Sequence, residues 1–228
     1  MMHSGKAQQA AIRLILFTAV SIIALIAVGF IAVWIGKFIT VIAESLIGIG
    51  LLSAAFTLYF FRDPEPIQPS DLAVIVSPAH GTVDIIDETV ELEVMGGPCQ
   101  RISVFLSLLD VHVQNAPVFG SVNYLKHSPG LFVSATKTES ALYNENVLIG
   151  FIPVTQPNAK VAVRLIAGLL TRRLTTWVTT GEIIPRSERI GMIHFGSRVD
   201  FFLPLTAKIK ISVGDHVIAG QSVVAKFS

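Results

Sequence analysis

Leu14–Ile35 reads LILFTAVSIIALIAVGFIAVWI, 22 residues without a charge. At a rise of about 1.5 Å per residue such a run spans the hydrocarbon core of a bilayer. Ser45–Phe61, SLIGIGLLSAAFTLYFF, is a second uncharged run of 17 residues. Gly36, Lys37 and Glu44 form a polar break between them. This spacing predicts two helices tightly joined, a transmembrane or membrane-embedded hairpin over residues 1–62. Lys6 and Arg13 precede the first helix and Arg62 follows the second, which puts both ends on the cytoplasmic side of the plasma membrane. Two alternatives stand beside the hairpin. One is a cleaved signal peptide, against which the apolar stretch is too long and lacks a small-residue cleavage site. The other is a single anchor with the second helix lying at the interface.

Asp63-Pro64-Glu65-Pro66 and Pro69-Ser70-Asp71 end the helical region, because proline removes donors and bars continuation. Residues 63–228 then read as short strands between turns. Val74-Ile75-Val76 leads into Ser77-Pro78-Ala79-His80-Gly81. Val90-Glu91-Leu92-Glu93-Val94 alternates as a half-buried strand does. Ile102–Leu109 is an apolar run continuing into Asp110-Val111-His112-Val113-Gln114, where the two valines point one way and the polar residues the other. Ala159–Leu174 fits a strand entering a short helix. The fold class is therefore α+β: a helical anchor followed by a mainly β domain.

Hydrophobic residues make up 52% of the 228 and charged residues 14%, with a net charge of +1. That balance excludes a nucleic-acid protein held by a broad basic field. The lone cysteine, Cys99 in a Gly-Gly-Pro-Cys turn, excludes an internal disulfide and a multi-cysteine zinc site, and no metal is expected. The C-terminal part carries an internal repeat. Gly181-Glu182-Ile183-Ile184 matches Gly214-Asp215-His216-Val217, and Ser187-Glu188-Arg189-Ile190 matches Gly220-Gln221-Ser222-Val223, both at an offset of 33. Two such hairpins face to face would make a small sandwich like that of biotinyl and lipoyl carriers. No lysine stands at the tight turn, so a carrier role is not expected.

Between the repeats lies Gly191-Met192-Ile193-His194-Phe195-Gly196-Ser197-Arg198-Val199-Asp200. A Gly-Ser pair alone carries no weight; the order of several motifs does. Tyr59-Phe60-Phe61-Arg62-Asp63-Pro64, Ser77-Pro78-Ala79-x-Gly81, Phe105–Pro117 with Val111-His112-Val113, Ile166-Ala167-Gly168-Leu169 with Arg172-Arg173, and Gly196-Ser197-Arg198-Val199-Asp200 with Leu203-Pro204 follow one another. The series resembles the short, archaeal-like phosphatidylserine decarboxylases over nearly everything after the first helix.

That resemblance implies a self-cleaving decarboxylase. Ser197 would be the nucleophile, Gly196 the cleavage partner and His112 the base. Cleavage would leave residues 1–196 and 197–228, held as a heterodimer and open to further self-association. Ser197 would become a pyruvoyl group, the electron sink usually supplied by pyridoxal phosphate. The substrate would be a phospholipid in the bilayer, phosphatidylserine converted to phosphatidylethanolamine. Arg198, Arg172 and Arg173 are basic candidates for holding it.

The sequence departs from the family at His80, where aspartate is usual. A carboxylate there orients the base and stabilises its charged form; Asp84, Asp87 and Asp110 are possible substitutes. Asn115, Asn146, Glu139 and His194 also replace basic residues. Two alternatives stay open: a membrane-anchored relative that does not cleave itself, and a decarboxylase for another serine-headed lipid.

Overall fold

The computed structural model describes residues 6–131, 143–168, 173–194 and 197–228. By its contacts the chain divides between Thr57 and Leu58. The N-terminal region is one helix, α1 (Lys6–Phe60), of 55 residues. The hairpin expected from the polar break does not form. Lys37 and Glu44 are good helix formers, one glycine costs only about 1 kcal/mol, and no proline intervenes. Thr40 and Ser45, within and beside that break, donate their hydroxyls to the carbonyls of Gly36 and Val41 one turn back. Thr18 and Thr57 bond to Leu14 and Ser53 in the same way. The helix thus satisfies its own polar groups along its length. Ile12–Phe60 is long and apolar enough to cross a membrane.

The β domain holds fourteen strands among the described residues: β1 (Val74–Val76), β2 (Gly81–Glu91), β3 (Gly97–Leu106), β4 (Val113–Asn115), β5 (Gly120–Ser128), β6 (Asn146–Pro153), β7 (Val161–Ala167), β8 (Leu174–Thr176), β9 (Ile183–Ile184), β10 (Arg189–Ile193), β11 (Ser197–Leu203), β12 (Lys208–Ile209), β13 (His216–Val217) and β14 (Val223–Lys226). The main sheet has the order β13-β2-β3-β11-β7-β6-β5-β9, and two small sheets have the orders β1-β14-β12 and β4-β10-β8.

These orders reveal two equivalent halves. β13-β2-β3-β11 corresponds to β9-β5-β6-β7, and β1-β14-β12 to β4-β10-β8. The half made of β4–β10 is inserted between β3 and β11 of the other. The repeat at offset 33 is part of this duplication. Gly181 and Gly214 have φ of 93° and 98°, and Ser187 and Gly220 both have φ of 69°. Gly181 donates to the Val122 carbonyl and Gly214 to the Val83 carbonyl. The two copies do not form a sandwich of their own: β9 and β13 lie at opposite edges of the main sheet, and β10 and β14 at the centres of separate small sheets.

The core lies on one face of the main sheet. Along β11, Val199, Phe201 and Leu203 enter it, with Val104, Ile149 and Leu165 from neighbouring strands. Phe202 turns to the other face and joins Val94, Cys99, Leu148 and Ala162. Cys99 therefore lies within β3, not in a turn, and burial pushes its thiol up. The expected strand through Val94 ends at Glu91, which is buried because its carboxylate accepts the backbone N–H groups of Glu93, Val94 and Met95. After Ala167 the helical expectation falls partly on residues 169–172, outside the described residues; β7 itself is a strand.

Candidate active site

The chain passes between the two halves twice. The first crossover, residues 107–112, joins β3 to β4; the second joins β10 to β11 and ends at Ser197. They meet at a backbone hydrogen bond, with Ile193 N–H donating to the His112 carbonyl at 3.2 Å. The motif residues that seemed scattered in sequence come together here because the fold must cross twice at one place.

Ser197 opens β11. Its backbone pairs with Leu106 of β3 on one side and Ala167 of β7 on the other. Gly196 lies outside the described residues, as does Arg172. His112 is fully buried, not on the solvated polar face that the alternation suggested; Gln114 is buried with it. His112 Nδ1 lies 2.9 Å from the Asp110 carbonyl oxygen. A carbonyl only accepts, so Nδ1 carries the proton and the lone pair of the neutral ring is on Nε2. Burial pushes this imidazole below its ordinary value, against the pull of the Asp110 carbonyl and carboxylate. A neutral, proton-accepting ring at pH 7 follows.

His80 is also neutral, with its pKa lowered to about 4 by burial. Its Nδ1 accepts the Ala219 N–H at 3.2 Å, so its proton sits on Nε2, the reverse of His112. The charges acting on it are those of Asp110, His216 and Arg62.

The three candidate carboxylates separate cleanly. Asp84 forms a two-pronged ion pair with Arg198. Asp87 does the same with Arg101. Asp110 remains at the site. One of its oxygens accepts the Ser107 N–H at 2.8 Å and hydroxyl at 2.7 Å; the other lies 3.1 Å from His216 Nε2. Burial opposes ionisation, but these hydrogen bonds hold the carboxyl below its ordinary range.

Of the basic candidates, Arg198 is 2% exposed and occupied by Asp84. Arg173 is exposed beside the second crossover, where its carbonyl accepts the His194 N–H at 3.1 Å. Burial and the Arg173 charge push His194 below its ordinary value. Sequence reasoning passed over Arg62, whose guanidinium donates to the Tyr59 and Leu109 carbonyls. It also passed over Phe60, Asp110's side-chain contacts and His216. Phe60 and Arg62 stand in the Tyr59–Pro64 motif, where in sequence Arg62 marks only the end of the second apolar run. A separate cavity of about 460 Å³ touches Pro204, Leu205 and Thr206, just past the end of β11 away from Ser197.

The sequence profile of phosphatidylserine decarboxylases matches residues 53–225. The chain belongs to the phosphatidylserine decarboxylase family. It is 40% identical over 183 residues to a phosphatidylserine decarboxylase proenzyme of Desulfotalea psychrophila, covering 80% of this chain and 85% of that one. Proenzymes of the same name from Syntrophus aciditrophicus and Symbiobacterium thermophilum are each 39% identical, over 177 and 173 residues. They cover 78% and 76% of this chain and 82% and 80% of their own. The match to these carboxy-lyases takes in the last turns of α1 and nearly all of the β domain.

Proposed function

We propose that the chain is made as a proenzyme, cuts itself between Gly196 and Ser197, and decarboxylates phosphatidylserine to phosphatidylethanolamine. The observation that carries this reading is the meeting of a buried, neutral His112 with the strand that runs into the Gly196–Ser197 link. Family membership supplies the reaction class.

In maturation the Ser197 hydroxyl oxygen attacks the Gly196 carbonyl carbon while His112 Nε2 takes its proton. The C–N bond breaks, the proton passes to the released amine, and an ester remains. Loss of the Ser197 Cα proton then breaks the Cβ–Oγ bond, and residues 1–196 leave as a carboxylate. The enamine left on residue 197 takes up water and loses ammonia, which makes the pyruvoyl group. The residues fit such a group, because a terminus at Ser197 stays paired with Leu106 and Ala167 in the middle of the sheet. Once formed, the group supplies an electron-withdrawing carbonyl for the substrate amine while CO₂ leaves. Around it, His112 holds a proton-accepting nitrogen and Asp110 a fixed negative charge. Arg62 and Arg173 are the cations we assign to the lipid phosphate or carboxylate.

The apolar helix supports a membrane location, and we assign the β domain to the cytoplasmic side. We expect the protein to resist extraction by alkaline carbonate. Intact mass after purification, with conversion of phosphatidylserine in vesicles, tests the whole reading. A purified, lipid-active protein that remained one uncut chain would overturn it. His80, in the place of a carboxylate, favours a second reading, a relative that does not cleave itself; denaturing electrophoresis separates the two.

A further inference from the structure

The last turn of α1 packs on both crossovers. Phe60 has no exposed surface and clusters with Val111, Val113 and Met192. Its ring lies over the His112 imidazole, with centroids 4.2 Å apart and planes tilted by 34°. Phe61 meets Phe60 edge-on at 5.2 Å and His194 edge-on at 5.6 Å. An aromatic row thus runs His112–Phe60–Phe61–His194, from the first crossover to the second. Two further bonds hold the same turn to the first crossover, because the Leu109 carbonyl accepts from Tyr59 Oη at 3.3 Å and Arg62 Nη2 at 2.6 Å.

We propose that Phe60 is a positioning residue for His112, fixing the imidazole relative to the scissile link and excluding water from it. This rests on His112 being the base of self-cleavage. Its Nδ1 hydrogen bond is to the Asp110 carbonyl, two residues away. A flat aromatic face against the imidazole limits its rotation and replaces water that would otherwise stabilise the charged ring. Among the described residues, the charged and titratable groups acting on His112 include Asp110 on its own crossover, Arg62 from the end of α1 and His194 from the second crossover. Phe60 lies among them and carries no charge, so its removal changes hydration and position and leaves the local charges in place.

The test uses the full chain in detergent, with Phe60 replaced by Ala, Val or Leu. Titration of the His112 ring is followed by nuclear magnetic resonance in the uncut Ser197→Ala background. Conversion of precursor is followed against pH with Ser197 intact. Phe60→Ala is expected to raise the His112 titration midpoint, move the acid limb of self-cleavage to higher pH, and slow cleavage at pH 7 by about ten- to a hundredfold. Phe60→Leu, which keeps most of the apolar volume, is expected to restore much of both. Phe60→Val serves where Phe60→Ala does not fold, and should fall between them. An unmoved His112 midpoint in a folded Ala or Val variant overturns the proposal. His112→Ala that still cleaves overturns the underlying reading instead, so the two failures are distinguishable.

Discussion

His216 Nε2 lies 3.1 Å from Asp110 Oδ1, across 106 residues of sequence. The pair lies on opposite sides of the proposed cut, so it joins the two chains that maturation would leave. It is one of several such ties. β11 stays between β3 and β7, β13 stays on β2, and β14 stays on β1. The 32-residue fragment is thus woven into the sheets of the larger one. Cleaved protein should elute as one species under native conditions and separate into residues 1–196 and 197–228 only in denaturant. His216→Ala should not release the fragment, because an exposed pair contributes at most about 1 kcal/mol beside this many backbone bonds. Free small fragment in native chromatography would count against the fold-based account.

Gly81 tests the geometry that carries the site. Its φ is +140°, and a Cβ built there would sit 2.2 Å from the Phe105 carbonyl oxygen. Backbone cannot yield as a side-chain tip does, so Gly81→Ala must push β2 from β3. Leu106, next along β3, is the register partner of Ser197. We expect a loss of at least about 2 kcal/mol in stability and little or no cleavage, read by thermal unfolding and electrophoresis. Gly96→Ala, with open space around its Cβ, should be far milder even at its φ of +78°.

Protonation of His80 should weaken the fold at mildly acid pH. Burial lowers its pKa from 6.5 to about 4 in the folded chain. Above pH 6.5 the ring is neutral in both states and its contribution is fully present. Between about 6.5 and 4 the unfolded chain takes up a proton that the folded chain refuses, so stability falls as pH falls. His112, lowered in the same direction by burial, adds to this. In the uncut Ser197→Ala chain, His80→Asn should flatten the melting temperature between pH 7 and 4. Asparagine places an oxygen where Nδ1 accepts the Ala219 N–H and does not titrate. An equal pH slope in both proteins would contradict the assignment.

Much of this arrangement is legible in the residues, and the failures have physical causes. The motif series names Ser197, Gly196 and His112 because each stands in a run of characteristic neighbours. α1 runs through the polar break because bilayer thickness does not decide where a helix ends, and the local backbone has no reason to stop at Lys37 or Glu44. Val90–Val94 misled because alternation cannot distinguish a strand from a turn whose central Glu91 is buried as a cap. The duplication stands out in its C-terminal part, where paired turns need the same unusual φ. It also runs through Pro78-x-x-Gly81-Thr82-Val83 and Pro117-x-x-Gly120-Ser121-Val122, which lead into β2 and β5, a match too short to be distinctive on its own. Asp110 could not be chosen over Asp84 and Asp87 from sequence, because that choice depends on where Arg198 and Arg101 point.

The carboxylate at Asp110 gives the sharpest test of the departure at His80. Its charge acts on both His80 and His112, and among the described residues no arginine forms an ion pair with it as Arg198 does with Asp84. Asp110→Asn keeps an oxygen to accept the Ser107 N–H and leaves the backbone carbonyl on His112 Nδ1 in place. It removes the charge that would stabilise a His112 imidazolium and turns an amide NH2 group toward His216 Nε2. Neutralising the equivalent group in a serine-protease triad costs about four orders of magnitude; with the carboxylate off the Nδ1 proton here, we expect a slowing of about ten- to a thousandfold. His80→Asp puts a carboxylate oxygen where Nδ1 now accepts from Ala219, so it should fit without rearrangement. In the otherwise natural chain it should speed maturation or leave it unchanged, because the gain of a second charge is offset by repulsion from Asp110. In the Asp110→Asn chain that repulsion is gone, and His80→Asp should recover much of the lost rate. Pulse–chase of the four proteins forms a complete double-mutant cycle. A doubly substituted chain as slow as Asp110→Asn would show that a carboxylate at position 80 cannot serve this base.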